Sequence, residues 1–225
     1  MSRYDLQVHT DASPCSRATP EAVVEAALAA GLDGIAITNH DTLEGYADAR
    51  DHAPAELTVI PGVEVTTTQG HLLALGVHAE PPRADPVTVI EHVHDQGGVA
   101  VLSHPFDRLR EYYVEDLVDI ARRVDAVEGM NSRCLLDRYN RRAQSFARAH
   151  GLPVTGASDA HFPMEIGRAY TVCAGPCLDA IRDGTTEARG RGRYLSGHAA
   201  TKLNDLGKGL SAFLRTVSHG TSRRI

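Results

Sequence analysis

Six short polar clusters hold the side chains of this chain best suited to bind a divalent metal, and each follows a run rich in Val, Ile or Leu. In chain order they are Asp5-Leu6-Gln7-Val8-His9, Asn39-His40-Asp41, Gly62-Val63-Glu64-Val65, Ser103-His104-Pro105, Glu128-Gly129-Met130-Asn131 and Ser158-Asp159-Ala160-His161. Neutral imidazoles and carboxylates suit Zn²⁺, Mn²⁺ or Fe²⁺, and a shared carboxylate can hold two ions about 3.5–4 Å apart. Such a pair lowers the pKa of a trapped water and makes it a nucleophile. Ligands so widely separated in sequence meet only if successive strands deliver them to one rim. In a barrel of parallel strands, the loops after the strands form that rim. The chemistry expected is metal-centred hydrolysis.

The patterning supplies elements for this arrangement. Strands are expected over 4–9, 32–38, 57–66, 71–77, 99–102, 126–128, 153–157 and 169–172, and helices over 21–30, 42–52, 86–96, 114–122 and 135–150. Thr19-Pro20-Glu21 combines an N-cap, a proline at the first helical position and an acid in the first turn. Gly31 and Gly151 stand where helix C-terminal glycines belong. Strands that alternate with helices and read as unbroken apolar runs indicate βαβ units around a sheet buried on both faces. An open doubly wound sheet would gather its ligands at one switch point, whereas here nearly every strand contributes, which favours a closed barrel.

The clusters Asp5-Leu6-Gln7-Val8-His9-Thr10, Ile37-Thr38-Asn39-His40-Asp41-Thr42, Gly62-Val63-Glu64-Val65, Ser103-His104-Pro105 and Gly156-Ala157-Ser158-Asp159-Ala160-His161 resemble the motifs of the PHP (polymerase and histidinol phosphatase) family. The resemblance runs in order over residues 4–173, about three quarters of the chain. It implies a distorted seven-stranded, TIM-like β/α barrel. Two or three divalent ions (Mn²⁺, Zn²⁺ or Fe²⁺, with Mg²⁺ admissible) would sit at the C-terminal ends of its strands and serve phosphoester hydrolysis. Carried over position by position, His9, Glu64 and Asp159, with whatever Gln7 supplies, would form a first metal site. Glu64 would bridge to a second, completed by His104 and Asn131. His40 and His161 would form a third, near Cys15, which is either a thiolate ligand or a plain buried thiol. Asp159 and His161 are also candidates to orient the attacking water. His71 is a candidate acid or phosphate contact, or simply the start of a strand. Arg17 and Arg133, and with less reason Arg168, follow ligand clusters and have the fork geometry for a phosphate.

Two departures from the family pattern stand out. Gln7 occupies the place of the family's first His, so the first site loses an imidazole and tilts toward harder ions. Asn39 replaces the Asp usual before His40, which removes a charge and is expected to loosen the orientation of a ligand.

Composition sets the remaining bounds. Aromatic residues make up only 5% of the chain and Trp is absent, so the core must rest on Ala, Val, Leu and Ile. A net charge of −6 argues against coating long nucleic acid, and the implied partner is a small phosphorylated molecule or a short oligonucleotide. The four cysteines form no CxxC pair, which argues against a closed zinc knuckle. With no long apolar stretch and no leader pattern, a soluble cytoplasmic enzyme is the expectation.

Lysines occur only at Lys202 and Lys208, which leaves an amidohydrolase-type lysine bridge without a residue to make it. The remaining rival is a degenerate PHP module that binds a phosphorylated ligand or partner without turnover, motivated by Gln7 and Asn39. The barrel domain is expected over 1–195. An extension over 196–225 carries an amphipathic stripe (Leu203, Leu206, Leu210, Phe213, Leu214, Val217) that would pack on the barrel. The run Arg189-Gly190-Arg191-Gly192-Arg193 reads as a solvated turn before a strand-like Tyr194-Leu195-Ser196.

Overall fold

The computed structural model describes residues 1–192. The elements are β1 (Ser2–Val8), α1 (Pro20–Ala29), β2 (Gly34–His40), α2 (Tyr46–His52), β3 (Thr58–Thr66), β4 (His71–Leu75), α3 (Pro86–Asp95), β5 (Val99–Ser103), α4 (Leu117–Ala121), β6 (Ala126–Asn131), α5 (Asp137–His150), β7 (Val154–Ala157), a 3-10 turn (Pro163–Glu165), β8 (Ala169–Cys173), α6 (Cys177–Arg182) and β9 (Glu187–Gly190). All strands share one sheet, in the order β7-β6-β5-β4-β3-β2-β1-β8-β9. The seven strands that the family resemblance implies are therefore corrected to nine among the described residues.

The pairing is mixed. The pairs β1–β2, β2–β3, β5–β6 and β6–β7 are parallel, while β4 runs antiparallel to both neighbours and β8 to both of its own. The reason for β4 is local. Only residues 67–70 separate it from β3, too few for a crossover, so the chain must return as a hairpin. The Thr67 hydroxyl donates to the Gly70 carbonyl at 2.6 Å and tightens that turn. As a consequence, His71 opens β4 at the same rim where the parallel strands end.

The sheet curls until its ends nearly meet. Val8 forms a parallel bridge with Ala160, the His9 amide donates to the Ala160 carbonyl at 2.9 Å, and Thr171 Oγ1 bonds both the amide and carbonyl of Gly156 at 2.9 Å. A Cβ on Gly156 would lie 2.5 Å from the Tyr170 carbonyl oxygen, so glycine lets β7 approach β8 this closely. Leu6, Ala36, Leu73, Leu75, Val101, Ala126 and Ala157 pack as one buried cluster with Ala180 and Ile181 of α6. Two further clusters fill the space between the sheet and its helices.

Thr19 caps α1 as its sequence implies, accepting from the Ala22 amide at 3.3 Å. Helix α2 starts later than the expected residue 42. Residues 42–45 are instead drawn into a turn in which Glu80 accepts from Thr42 Oγ1 and the Leu43 amide, and Gly45 takes φ 83°. Helix α6 and strand β9 carry no strong apolar period and were not anticipated. Because Arg189 and Gly190 lie in β9, paired with Tyr170 and Ala169, the turn reading fails for the start of the arginine–glycine run. The strand expected at 194–196 and the amphipathic stripe over 203–217 fall outside the described residues. Among the described residues, no helix is long and apolar enough to cross a membrane.

Candidate metal centre

Every element that reaches the rim delivers a polar residue to one cavity. His9 follows β1, His40 ends β2, Glu64 lies in β3 opposite His40, His71 begins β4, His104 follows β5, Asn131 ends β6, and Asp159 and His161 follow β7. Three non-glycine residues at these strand ends have positive φ: Asp41 (56°), His104 (29°) and Asp159 (57°). L side chains rarely adopt such backbones, and they persist where the surroundings over-determine them. Asp41 shows the means, since its carboxylate accepts from both the amide and the hydroxyl of Thr66.

One half of the cavity is a wall of imidazoles around Glu64. Glu64 Oε2 lies 3.1 Å from His9 Nε2 and 3.7 Å from His40 Nδ1, and its Oε1 lies 3.0 Å from His71 Nδ1 and 3.2 Å from His104 Nε2. Asp159 Oδ1 is 3.4 Å from His9 Nε2. Adjacent rings are 4.5–5.4 Å apart in the order His161, His9, His40, His71, His104. Three overlapping triads each bring their potential ligand atoms within 4.8 Å of one another: His9–His40–His161, His40–Glu64–His71 and His9–Glu64–Asp159.

Supporting bonds fix which nitrogens face inward. His9 Nδ1 lies 3.3 Å from Ser13 Oγ, whose own hydrogen goes to Asn39 Oδ1 at 2.9 Å. Nδ1–H must therefore donate to Ser13, leaving Nε2 toward Glu64 and Asp159. His161 Nδ1 donates likewise to the Asp159 carbonyl at 2.9 Å, which frees its Nε2. Asn39 is fully engaged: its oxygen accepts from the Thr10 amide and Ser13, and its nitrogen donates to Thr10 Oγ1 and the Glu44 carbonyl. An aspartate could not make the last two bonds, so the amide tightens this support, contrary to the loosening expected from its lost charge.

Electrostatics follow from burial and crowding. Burial opposes charge on His9, yet the facing carboxylates of Asp159 and Glu64 lift its pKa to about 9. Burial also opposes the Glu64 and Asp159 charges. The imidazoles around Glu64 and the Arg110 guanidinium beside Asp159 nevertheless hold both carboxyls well below their usual range. His161 is pushed well below the usual imidazole value by burial and by its neighbour His9. Burial, then the nearby Glu64 and Asp159 charges, push the Cys15 thiol up to about 12, and none of the three triads includes Cys15. This half fits a divalent cation: the buried His9 Nε2 converges with Glu64 Oε2 at 3.1 Å and Asp159 Oδ1 at 3.4 Å, an imidazole and two carboxylates close enough to share one ion.

The other half is built from amides and a guanidinium. Gln7 Oε1 accepts from Ser103 Oγ (3.2 Å) and Asn131 Nδ2 (3.4 Å). Asn131 Oδ1 accepts from the Arg133 amide (2.9 Å) and Arg110 Nη2 (3.3 Å). Both amide oxygens that would ligate an ion are thus already engaged by donors, and this half does not fit a metal. Glu128, raised well above the usual carboxyl range by burial and then by Asp159, takes the His104 amide at 2.7 Å and Asn131 Nδ2. Arg133 is buried and ion-paired with Glu165 at 2.8 Å, while Glu165 also accepts from the His161 and Phe162 amides. Arg17 is exposed, and Arg168 is half-buried beside Tyr170, Arg189 and Arg191. Sequence reasoning missed Arg110, Asp107, Glu111, Ser13 and Glu165, which reach the site through loop geometry.

A family model described as the PHP domain matches residues 5–152, and one described as PHP-associated matches residues 137–186. The chain belongs to the PHP domain family. It is similar to an uncharacterized protein of Methanocaldococcus jannaschii, with 30% identity over 75% of this chain and 69% of that protein. The 5'-3' exoribonuclease Rnm of Escherichia coli is 37% identical over a shorter stretch, 35% of this chain and 29% of that enzyme. In fold, the chain is similar to a two-domain protein of Bacteroides vulgatus containing a predicted PHP-like metal-dependent phosphoesterase. The TM-score is 0.73 at 19% identity, covering 84% of this chain and 65% of that one.

Proposed function

We propose that this protein is a metal-dependent phosphoesterase that uses an activated water to hydrolyse a small phosphorylated substrate, a nucleotide or a short oligonucleotide. The observation that carries this reading is the set of three triads sharing His9, His40 and Glu64 within one cavity. His9, Glu64 and Asp159 would hold one divalent ion (Mn²⁺, Zn²⁺, Fe²⁺ or Mg²⁺), and His40, with Glu64 or His161, a second. His104 and His161 lie at the two ends of the ligand wall. Bound ions supply Lewis acidity and a water of lowered pKa.

The chain's own residues do the rest. Glu64 is the shared carboxylate, and Asp159 and His161 orient the attacking water from the β7 side. His71 lies between Glu64 and Glu111, 3.1 Å from the latter. Burial opposes its charge, but those carboxylates raise its pKa, which suits it to give a proton to a leaving oxygen. With few carboxylates facing divalent ions, the cavity prefers an anion despite the net charge of the chain. Arg17 at the exposed rim suits a distal phosphate, while Arg133 with Glu165 steadies the loop that carries His161. The likeness to an exoribonuclease over part of the chain supports including oligonucleotide ends among the substrates.

The test is reconstitution with Mn²⁺ followed by a panel of aryl phosphates, nucleotides and short oligonucleotides, on which metal-dependent hydrolysis is expected. Ion-loaded protein that hydrolyses none of them would reject the reading. The engaged amide oxygens of Gln7 and Asn131 favour one alternative, a module that binds phosphate without turnover, and the same panel separates the two.

A further inference from the structure

We infer that Arg110 is a built-in cation of this centre: its guanidinium stands where the amide half would otherwise need an ion. The assembled site then holds two divalent ions in the histidine half, with Arg110 as a fixed fork for a phosphoryl oxygen. Any part Arg110 plays in hydrolysis rests on the phosphoesterase reading, but the ion count and the phosphate contact do not.

Four bonds seat the guanidinium. Nε donates to Asp107 Oδ2 at 3.0 Å, Nη1 to Asp159 Oδ2, and Nη2 to Asn131 Oδ1 at 3.3 Å and to Cys134 Sγ at 3.6 Å. Asp159 is therefore shared, with Oδ1 toward His9 and the triads and Oδ2 toward Arg110. A guanidinium has five N–H donors and no acceptor, so these bonds leave one Nη1 hydrogen over for a ligand. Its charge is permanent and cannot be surrendered to admit a metal at the same oxygens. The arginine and the triads meet at Asp159, whose Oδ1 lies 3.4 Å from His9 Nε2 while its Oδ2 accepts from Arg110 Nη1.

The loop that carries Arg110 is held at several points. Asp107 and Arg110 donate their amides to the His104 and Asp107 carbonyls, both at 3.0 Å. Tyr113 Oη donates to the His71 carbonyl at 2.8 Å, Gln69 Oε1 accepts from the amides of Val114 and Glu115, and Glu111 meets His71 Nε2 at 3.1 Å. The Arg110 side chain is 19% exposed, enough to touch a bound anion but not to wander. It also provides the positive charge that the buried Asp107 and Asp159 require.

The experiment counts Mn²⁺ per chain by elemental analysis and measures inorganic phosphate binding calorimetrically on full-length, Mn²⁺-loaded protein. Wild type should hold two ions. Arg110→Met should still hold two, because Gln7 and Asn131 remain poor ligands, but should bind phosphate at least about tenfold more weakly. Arg110→Lys, which keeps the charge and loses the fork, should fall between them and serves if the Met variant does not fold. Adding Gln7→His and Asn131→His should create a third ion site in the Arg110→Met background but not beside an intact Arg110. Three ions in the wild type, or phosphate binding indifferent to Arg110, would overturn the inference. Neither readout needs turnover: an inert protein with two ions and Arg110-dependent phosphate binding would end the phosphoesterase reading and leave this one standing.

Discussion

The two halves of the cavity share a rim, a depth and a high density of buried polar groups, yet they solve the problem of buried charge differently. In the histidine half, Glu64 and Asp159 face imidazole nitrogens whose other ring atoms are tied to Ser13 and to backbone, so the inward lone pairs are left for a cation. In the amide half, each acceptor meets a protein donor: Gln7 with Ser103, Glu128 with the His104 amide, Asp159 with Arg110. Side chains with spare lone pairs make a receptive site, and side chains that satisfy one another make a scaffold. The difference lies in hydrogen-bond completion rather than in polarity.

The largest effect should come from removing the charge of the hub. Glu64→Gln should abolish retention of at least one ion and lower kcat by more than the roughly 10–100-fold typical of an outer partner, as read by elemental analysis and steady-state kinetics. Next come the supports of the ligand tautomers. Ser13→Ala or Asn39→Ala should weaken Mn²⁺ binding by about 10–100-fold in calorimetry, and Asn39→Asp should lose part of that because it cannot donate to Thr10 Oγ1 and Glu44.

A pH series probes the same half without substitution. In metal-free protein the folded-state pKa of His9 is raised from 6.5 to about 9, so its contribution to stability is complete below about 6.5 and is lost as pH rises toward 9. His71 is raised as well and adds to that fall. Thermal midpoints of metal-free protein should decline across this window, whereas Mn²⁺-loaded protein, in which the ion replaces the proton, should not share the decline. The smallest effect belongs to the amide half: Glu128→Gln removes a charge that burial already disfavours, and ion count and thermal midpoint should hardly change. A Glu128→Gln loss as severe as that of Glu64→Gln would erase the distinction between the halves.

Much of this architecture is legible in the chain itself. Thr19-Pro20-Glu21 announces α1, and the position of His9, His40, Glu64, His104, Asp159 and His161 after apolar runs points to a shared rim. Patterning is blind to what long-range geometry decides. The apolar run at residues 72–75 marks a strand but not its direction, which the short 67–70 turn imposes. Arg110 reaches Asp159 across 49 positions and Asn131 across 21, from a loop with no periodicity. The value of Asn39 was misjudged because its substitution reads as a lost charge, whereas its two donors appear only when Thr10 and Glu44 are brought beside it.

The claim that the histidine half holds the ions can be tested most directly by anomalous scattering from crystals of full-length protein grown with Mn²⁺. Two peaks are predicted, one bounded by His9, Glu64 and Asp159 and one adjoining His40. Absence of both, or a peak lodged between Gln7, Asn131 and the position of Arg110, would contradict the account.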